Sequence, residues 1–128
     1  MLRPFVKPRL WLGVWALGWA LCIGLSLLPP VPLGGPPDSD KIGHFLAYFM
    51  LSAWAMSIFR TSRAQLLASL SLVLLGLCIE WAQANLTDTR KGDLGDALAN
   101  TLGIALGYAL GSTPLARVLE KIDHTLFR

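Results

Sequence analysis

Four charge-free apolar stretches leave this chain few ways to fold. No charged residue lies between Arg9 and Asp38, between Lys41 and Arg60, between Arg63 and Glu80, or between Asp96 and Arg117. Each gap approaches the ~20 residues that a membrane-crossing helix needs. With 54% hydrophobic residues in 128, there is more apolar surface than so short a chain can hide in its own interior. The spacing predicts helices at about 10–28, 41–59, 64–86 and 94–112, an all-α membrane four-helix bundle forming a single domain over residues 1–128.

The connectors agree with this division. "LLPPVPLGGPPDSD" is too rich in proline and glycine to be helical, and it places Asp38 or Ser39 to cap the second helix. "RTSR" is a tight turn offering Thr61 or Ser62 as the next cap, and "TDTRKGD" precedes the fourth helix. The basic start "MLRPFVKPRL" resembles that of a signal peptide. Its apolar run, however, exceeds the usual ~7–15 residues and meets prolines where a small-residue cleavage site belongs, so a retained helix is expected.

Charge sets the orientation. Eight Lys and Arg residues fall in the N-terminal segment, the 60–63 turn and the C-terminal segment, against Lys41, Arg90 and Lys91 elsewhere. By the positive-inside rule both termini are cytoplasmic, with the first and third connectors extracytoplasmic. The net charge of +3 does not imply nucleic acid, because the basic residues form no stripe interleaved with aromatics. Cys22 and Cys78 stand alone inside apolar runs and read as small packing residues.

Helical periodicity then aligns the polar residues. Asp93, Asp96, Asn100, Gly103, Gly107 and Gly111 fall on one stripe, whose glycines form GxxxGxxxG, a pattern for close helix approach within one chain or between two. Ser69, Gly76, Glu80 and Gln83 share a face of the third helix, and Lys41, His44, Tyr48 and Ser52 a face of the second. The first helix offers only a seam of Ala16, Ala20 and Gly24 and reads as scaffold, while Trp11, Trp15, Trp19, Trp54 and Trp81 read as belt and packing residues. Ionisable groups from the last three helices are thus expected at one level, near the extracytoplasmic end. Polar glue between helices accounts for some of them, but packing alone does not require so many.

The blocks "DKIGHFLAYFML" (Asp40 to Leu51), "EWAQ" (Glu80 to Gln83) and "RKGDLGDALANTLGIALG" (Arg90 to Gly107) resemble the VanZ-like family, small bacterial membrane proteins related to one linked to teicoplanin resistance. The resemblance runs through Asp40, Lys41, His44, Phe45, Tyr48, Glu80, Gln83, Arg90, Asp93, Asp96, Asn100 and Gly103. It implies a multi-pass protein of the bacterial cytoplasmic (inner) membrane with its polar cluster outside.

Three functions fit such a cluster. The first is a binding site for an envelope lipid or a lipid-linked cell-wall intermediate, a glycopeptide-resistance-like role. Its ligand-binding set would be Asp40, Lys41, His44, Tyr48, Glu80, Gln83, Arg90, Asp93, Asp96 and Asn100, with helix N-termini favouring phosphate. The second is a metal-assisted lipid headgroup or phosphoryl hydrolase. There His44, Glu80, Asp93 and Asp96 are the catalytic candidates, and Asp93 with Asp96 could share a divalent cation, no other cofactor being expected. The third, a channel or proton-coupled carrier, lacks a continuous polar path, because the other halves of the helices are apolar. The partner is therefore a membrane lipid rather than nucleic acid, with an oligomer through Gly103, Gly107 and Gly111 left open.

The charge count yields a topology that can be read directly. With Cys22 and Cys78 replaced by serine, single cysteines at Ser39 and Thr89 should react with an impermeant maleimide from one side of the membrane. Cysteines at Arg60 and Arg128 should react only from the other; labelling of Ser39 and Thr89 from opposite sides refutes the arrangement.

Overall fold

The computed structural model describes residues 2–27, 39–86 and 94–127, and among these the regular structure is helical. The elements are α1 (Pro8–Leu27), α2 (Ser39–Ile58), α3 (Ser62–Leu86), α4 (Leu94–Ala109), two 3₁₀ turns (Leu110–Ser112 and Pro114–Arg117) and α5 (Val118–Leu126). The extended segment before α1 touches the end of α2 through an isolated antiparallel bridge between Leu2 and Phe59.

Two helices, α1 and α3, are long and apolar enough to cross a membrane. The other two expected spans are altered. The apolar part of α2, Ile42–Ile58, is shorter, and α4 with its continuation qualifies only as a broken span bent by 81°. Helix 94–112 is expected to be continuous, yet regular α-structure ends at Ala109. Pro114 explains the break: it holds the preceding Thr113 in an extended conformation and cannot donate to the turn before it. Thr113 Oγ1 donates instead to the Leu110 carbonyl at 2.7 Å.

Beyond the break lies α5, which the charge reading treats only as a basic tail. Pro114 at the start of its lead-in turn, and the spacing of Ala116, Leu119 and Asp123, are the signals for it. These three residues are buried, whereas Leu115, Val118, Ile122 and Leu126 form an exposed apolar stripe.

The closest packing is between α2 and α4, and it depends on missing side chains. A Cβ at Gly103 would lie 2.5 Å from the Phe45 carbonyl oxygen, and one at Gly107 would lie 2.8 Å from the Ala53 nitrogen. The GxxxGxxxG stripe therefore faces α2 of the same chain. Ser52 Oγ, fully buried, spans the contact by donating to the Ile104 carbonyl at 2.8 Å. The α1 seam differs from expectation: Ala16, Ala20 and Gly24 are exposed. Instead α1 packs with Trp11, Trp15, Gly18, Trp19, Cys22 and Ser26, because large indoles fill a wider gap than a small-residue seam can. Trp15 donates to the Leu51 carbonyl at 3.0 Å and Trp54 to the Trp11 carbonyl at 3.2 Å, so these act in packing, while Trp81 is exposed.

At the end opposite the polar stripe, chain termini and helix ends are tied together. The Asp123 carboxylate, fully buried, accepts the backbone N–H groups of Val6 and Lys7 and the Trp11 indole N–H, the last at 2.8 Å. It thereby anchors the segment that leads into α1, whose first residue, Pro8, has no N–H to satisfy. Arg3 Nη2 donates to the Met56 carbonyl at 3.1 Å and Gln65 Nε2 to the Phe59 carbonyl at 3.0 Å, serving the last turn of α2 in the same way. Thr61, one of the two expected caps, accepts the Ala64 N–H at 3.2 Å to open α3.

Both features have measurable consequences. Gly107→Ala should lower thermal stability in detergent by about 1–3 kcal/mol through overpacking, whereas Gly24→Ala, with nothing within 4 Å of the added carbon, should leave it unchanged. Equal effects would show that the α2–α4 approach is not tight. Burial alone would raise the Asp123 carboxyl, but the Trp11, Val6 and Lys7 donors and neighbouring His124 outweigh it and hold the group below its ordinary value of 3.8. Its folded-state pKa is depressed, so its contribution is complete above the ordinary carboxyl value and is lost as pH falls through the lower folded value. Thermal melts of wild type should fall on acidification through that window, and Asp123→Asn should be less stable at neutral pH with a flatter acid profile.

Candidate functional site

Of the polar faces expected from helical spacing, Tyr48, Gly76 and Asn100 meet where α2, α3 and α4 converge. Gly76 of α3 is the point of contact: a Cβ there would sit 3.3 Å from Asn100 Nδ2 of α4 and 3.6 Å from Tyr48 Cε1 of α2. One small residue thus lets two polar side chains from two other helices reach the same place. Tyr48 is fully buried, and Asn100, Gln83 and Asp96 are 1%, 2% and 6% exposed. His44 and Glu80 are half-buried, and Glu80 lies within electrostatic reach of Tyr48.

Sequence reasoning treats α1 as scaffold, yet it enters this site. Gln83 Nε2 donates to the Ser26 carbonyl at 2.7 Å, tying the end of α3 to the end of α1. Cys22 lies beside the Tyr48 hydroxyl, without a hydrogen bond of ordinary geometry between them. The missed signal is the stripe Trp15, Trp19, Cys22 and Ser26, which recurs at helical spacing along one face of α1.

Arg90 and Asp93 lie outside the described residues, as do the side chains of Asp40 and Lys41, whose backbones belong to the first turn of α2. Of the pair expected to share a cation, only Asp96 is described. Among the described residues no group of three His, Cys, Asp or Glu side chains converges as a metal site.

The hydrogen-bond inventory is uneven. Glu80, Gln83 and Asp96 all have partners. Asn100 does not: both its amide nitrogen and its amide oxygen are buried without a hydrogen bond among the described residues, and the Tyr48 hydroxyl is in the same position. A buried donor or acceptor left unmade costs about 1–3 kcal/mol, and such groups are uncommon in folded proteins. Chemically, the Asn100 amide can donate and accept at once, and Tyr48 adds a hydroxyl that does either. Together with the carboxylates of Asp96 and Glu80 they suit hydroxyl or amine groups more than a bare anion.

Comparison with known proteins adds little chemistry. No family model matches the chain, and no solved structure matches it. An uncharacterized protein of the fission yeast Schizosaccharomyces pombe is 36% identical over 101 residues, covering 77% of this chain and 60% of that protein. The chain thus spans about three-fifths of the length of that relative. Because the similarity is to a fungal protein, the bacterial inner membrane expected from the sequence is overturned as the location. Hydropathy and Lys/Arg counts describe how a chain meets a bilayer and are silent on the organism; the bacterial setting enters only through the family resemblance.

Proposed function

We propose that the chain is a membrane four-helix bundle of the VanZ-like kind, both termini cytoplasmic, whose polar end binds a lipid headgroup. The inverted distribution of side chains supports the bilayer. Large apolar residues on every long helix face outward, among them Leu25 at 63%, Met50 at 59%, Leu74 at 62% and Leu98 at 60% exposed, while Gln83, Asp96 and Asn100 are turned inward. A soluble domain rarely exposes so continuous an apolar surface.

One observation carries the binding reading: the buried amide of Asn100 and, near it, the Tyr48 hydroxyl, neither of which makes a hydrogen bond of ordinary geometry among the described residues. Polar glue would leave these groups bonded to each other or to neighbouring helices. A headgroup hydroxyl or amine supplies the missing partners, with Asp96 and Glu80 nearby to accept from it. Lys41 and Arg90, which the sequence puts at the same level, would meet the adjoining phosphate.

Replacing Asn100 by leucine separates ligand from glue. If the amide exists for a ligand, Asn100→Leu removes two unsatisfied groups without opening a cavity, so the thermal midpoint in detergent should hold or rise. Native mass spectrometry should show a co-purifying lipid on wild type and its loss from Asn100→Leu and from Glu80→Gln. A variant that melts markedly lower and keeps the same lipid would overturn the reading.

A further inference from the structure

The opposite end of the molecule holds a feature that headgroup binding at the polar end does not use. A cleft of about 570 Å³ is lined by Arg3, Arg60 and Arg117 together with Ser62, Ser112 and Thr113. The break after α4 creates it by carrying Arg117 back across the bundle, next to the α2–α3 turn that bears Arg60. Arg3 is held there by its bonds to Met56. No acidic residue among the described residues lines the cleft.

Three guanidinium groups around one space repel each other unless an anion lies between them. Burial disfavours the charge on Arg3, Glu120 offsets this and Arg117 adds to it, so the cleft would be relieved by a bound negative charge. Arg60 and Arg117 are exposed and have their donors available. The N-terminus of α3 begins at Ser62, on the cleft wall, and adds the positive end of its dipole.

The neighbouring helix decides between a free anion and a lipid. The segment carrying α5 turns 81° from α4, and its stripe of Leu115, Val118, Ile122 and Leu126 is 42–64% exposed. A helix with one apolar face, lying crosswise at the end of a membrane bundle, fits the boundary between headgroups and acyl chains. We infer that the cleft holds the phosphate of an anionic phospholipid from the leaflet at the basic end, gripped by Arg60 and Arg117, with α5 lying along its acyl chains. This rests on the membrane reading above but not on the site around Asn100.

The test uses full-length protein in nanodiscs of phosphatidylcholine, alone or doped with phosphatidylserine, with retained lipid read by native mass spectrometry. Wild type should retain phosphatidylserine preferentially. Arg60→Gln with Arg117→Gln, both at exposed positions, should weaken that preference about thirtyfold, given roughly 1 kcal/mol per basic residue near an anionic surface. Asn100→Leu should leave it intact. Equal retention of the two lipids by wild type, or a preference unchanged in the double arginine variant, overturns the inference alone. Stabilisation by inorganic phosphate in undoped discs as large as that by phosphatidylserine also overturns it, by removing lipid as the source. A chain that stays out of the discs overturns this inference and the membrane reading together.

Discussion

The backbone contact between α2 and α4 is the constraint on which the rest of the molecule depends. Gly103 and Gly107 are one helical turn apart, and each meets main-chain atoms of α2 where any side chain would collide. Helices that approach this closely gain dispersion contacts along their length, the main source of association where water is absent. The contact also sets register. With Gly103 against Phe45 and Gly107 against Ser52 and Ala53, Asn100 lies one turn nearer the start of α4, and Gly76 leaves room for its amide and for the Tyr48 ring.

The two ends of the bundle treat polar groups differently. At the basic end the buried ones are consumed by the fold: Asp123 takes three donors, and Arg3 and Gln65 serve the carbonyls that close α2. Between the ends the interior is mainly apolar, with Leu51, Leu72 and Ile104 buried beside the small hydroxyls of Ser52 and Ser69. At the other end Asn100 and Tyr48 keep bonding capacity that nothing described uses. In a low-dielectric setting that difference matters, since satisfied groups stiffen a structure and unsatisfied ones destabilise it until a partner arrives. The buried groups of the basic end are held by their own chain, while those of the polar end have capacity to spare.

Legibility in the sequence follows from how local each feature is. The inward stripe of Asp96, Asn100, Gly103 and Gly107 could be read because helical periodicity alone places residues on a common face. The packing face of α1 could not, since that helix is apolar all round and periodicity does not favour Ala16 over Trp15. The fourth helix was placed correctly at its start and too far at its end, because hydropathy continues past Ala109 while Pro114 stops the backbone first. The grouping of Arg3, Arg60 and Arg117 was implied by the charge count as a common side, but a common side is not a cleft.

By itself the sequence determined that the chain is helical, which faces of α2, α3 and α4 carry polar groups, and that the basic segments share one end. Those are consequences of hydropathy, period and charge, each a property of residues near one another along the chain. Only tertiary structure decided that the glycine stripe serves α2 of the same chain, that Gly76 admits Asn100 and Tyr48 together, and that Asp123 anchors the entry to a helix begun more than a hundred residues earlier. Such pairings depend on distance in space, and a local pattern does not encode which distant surface it will meet.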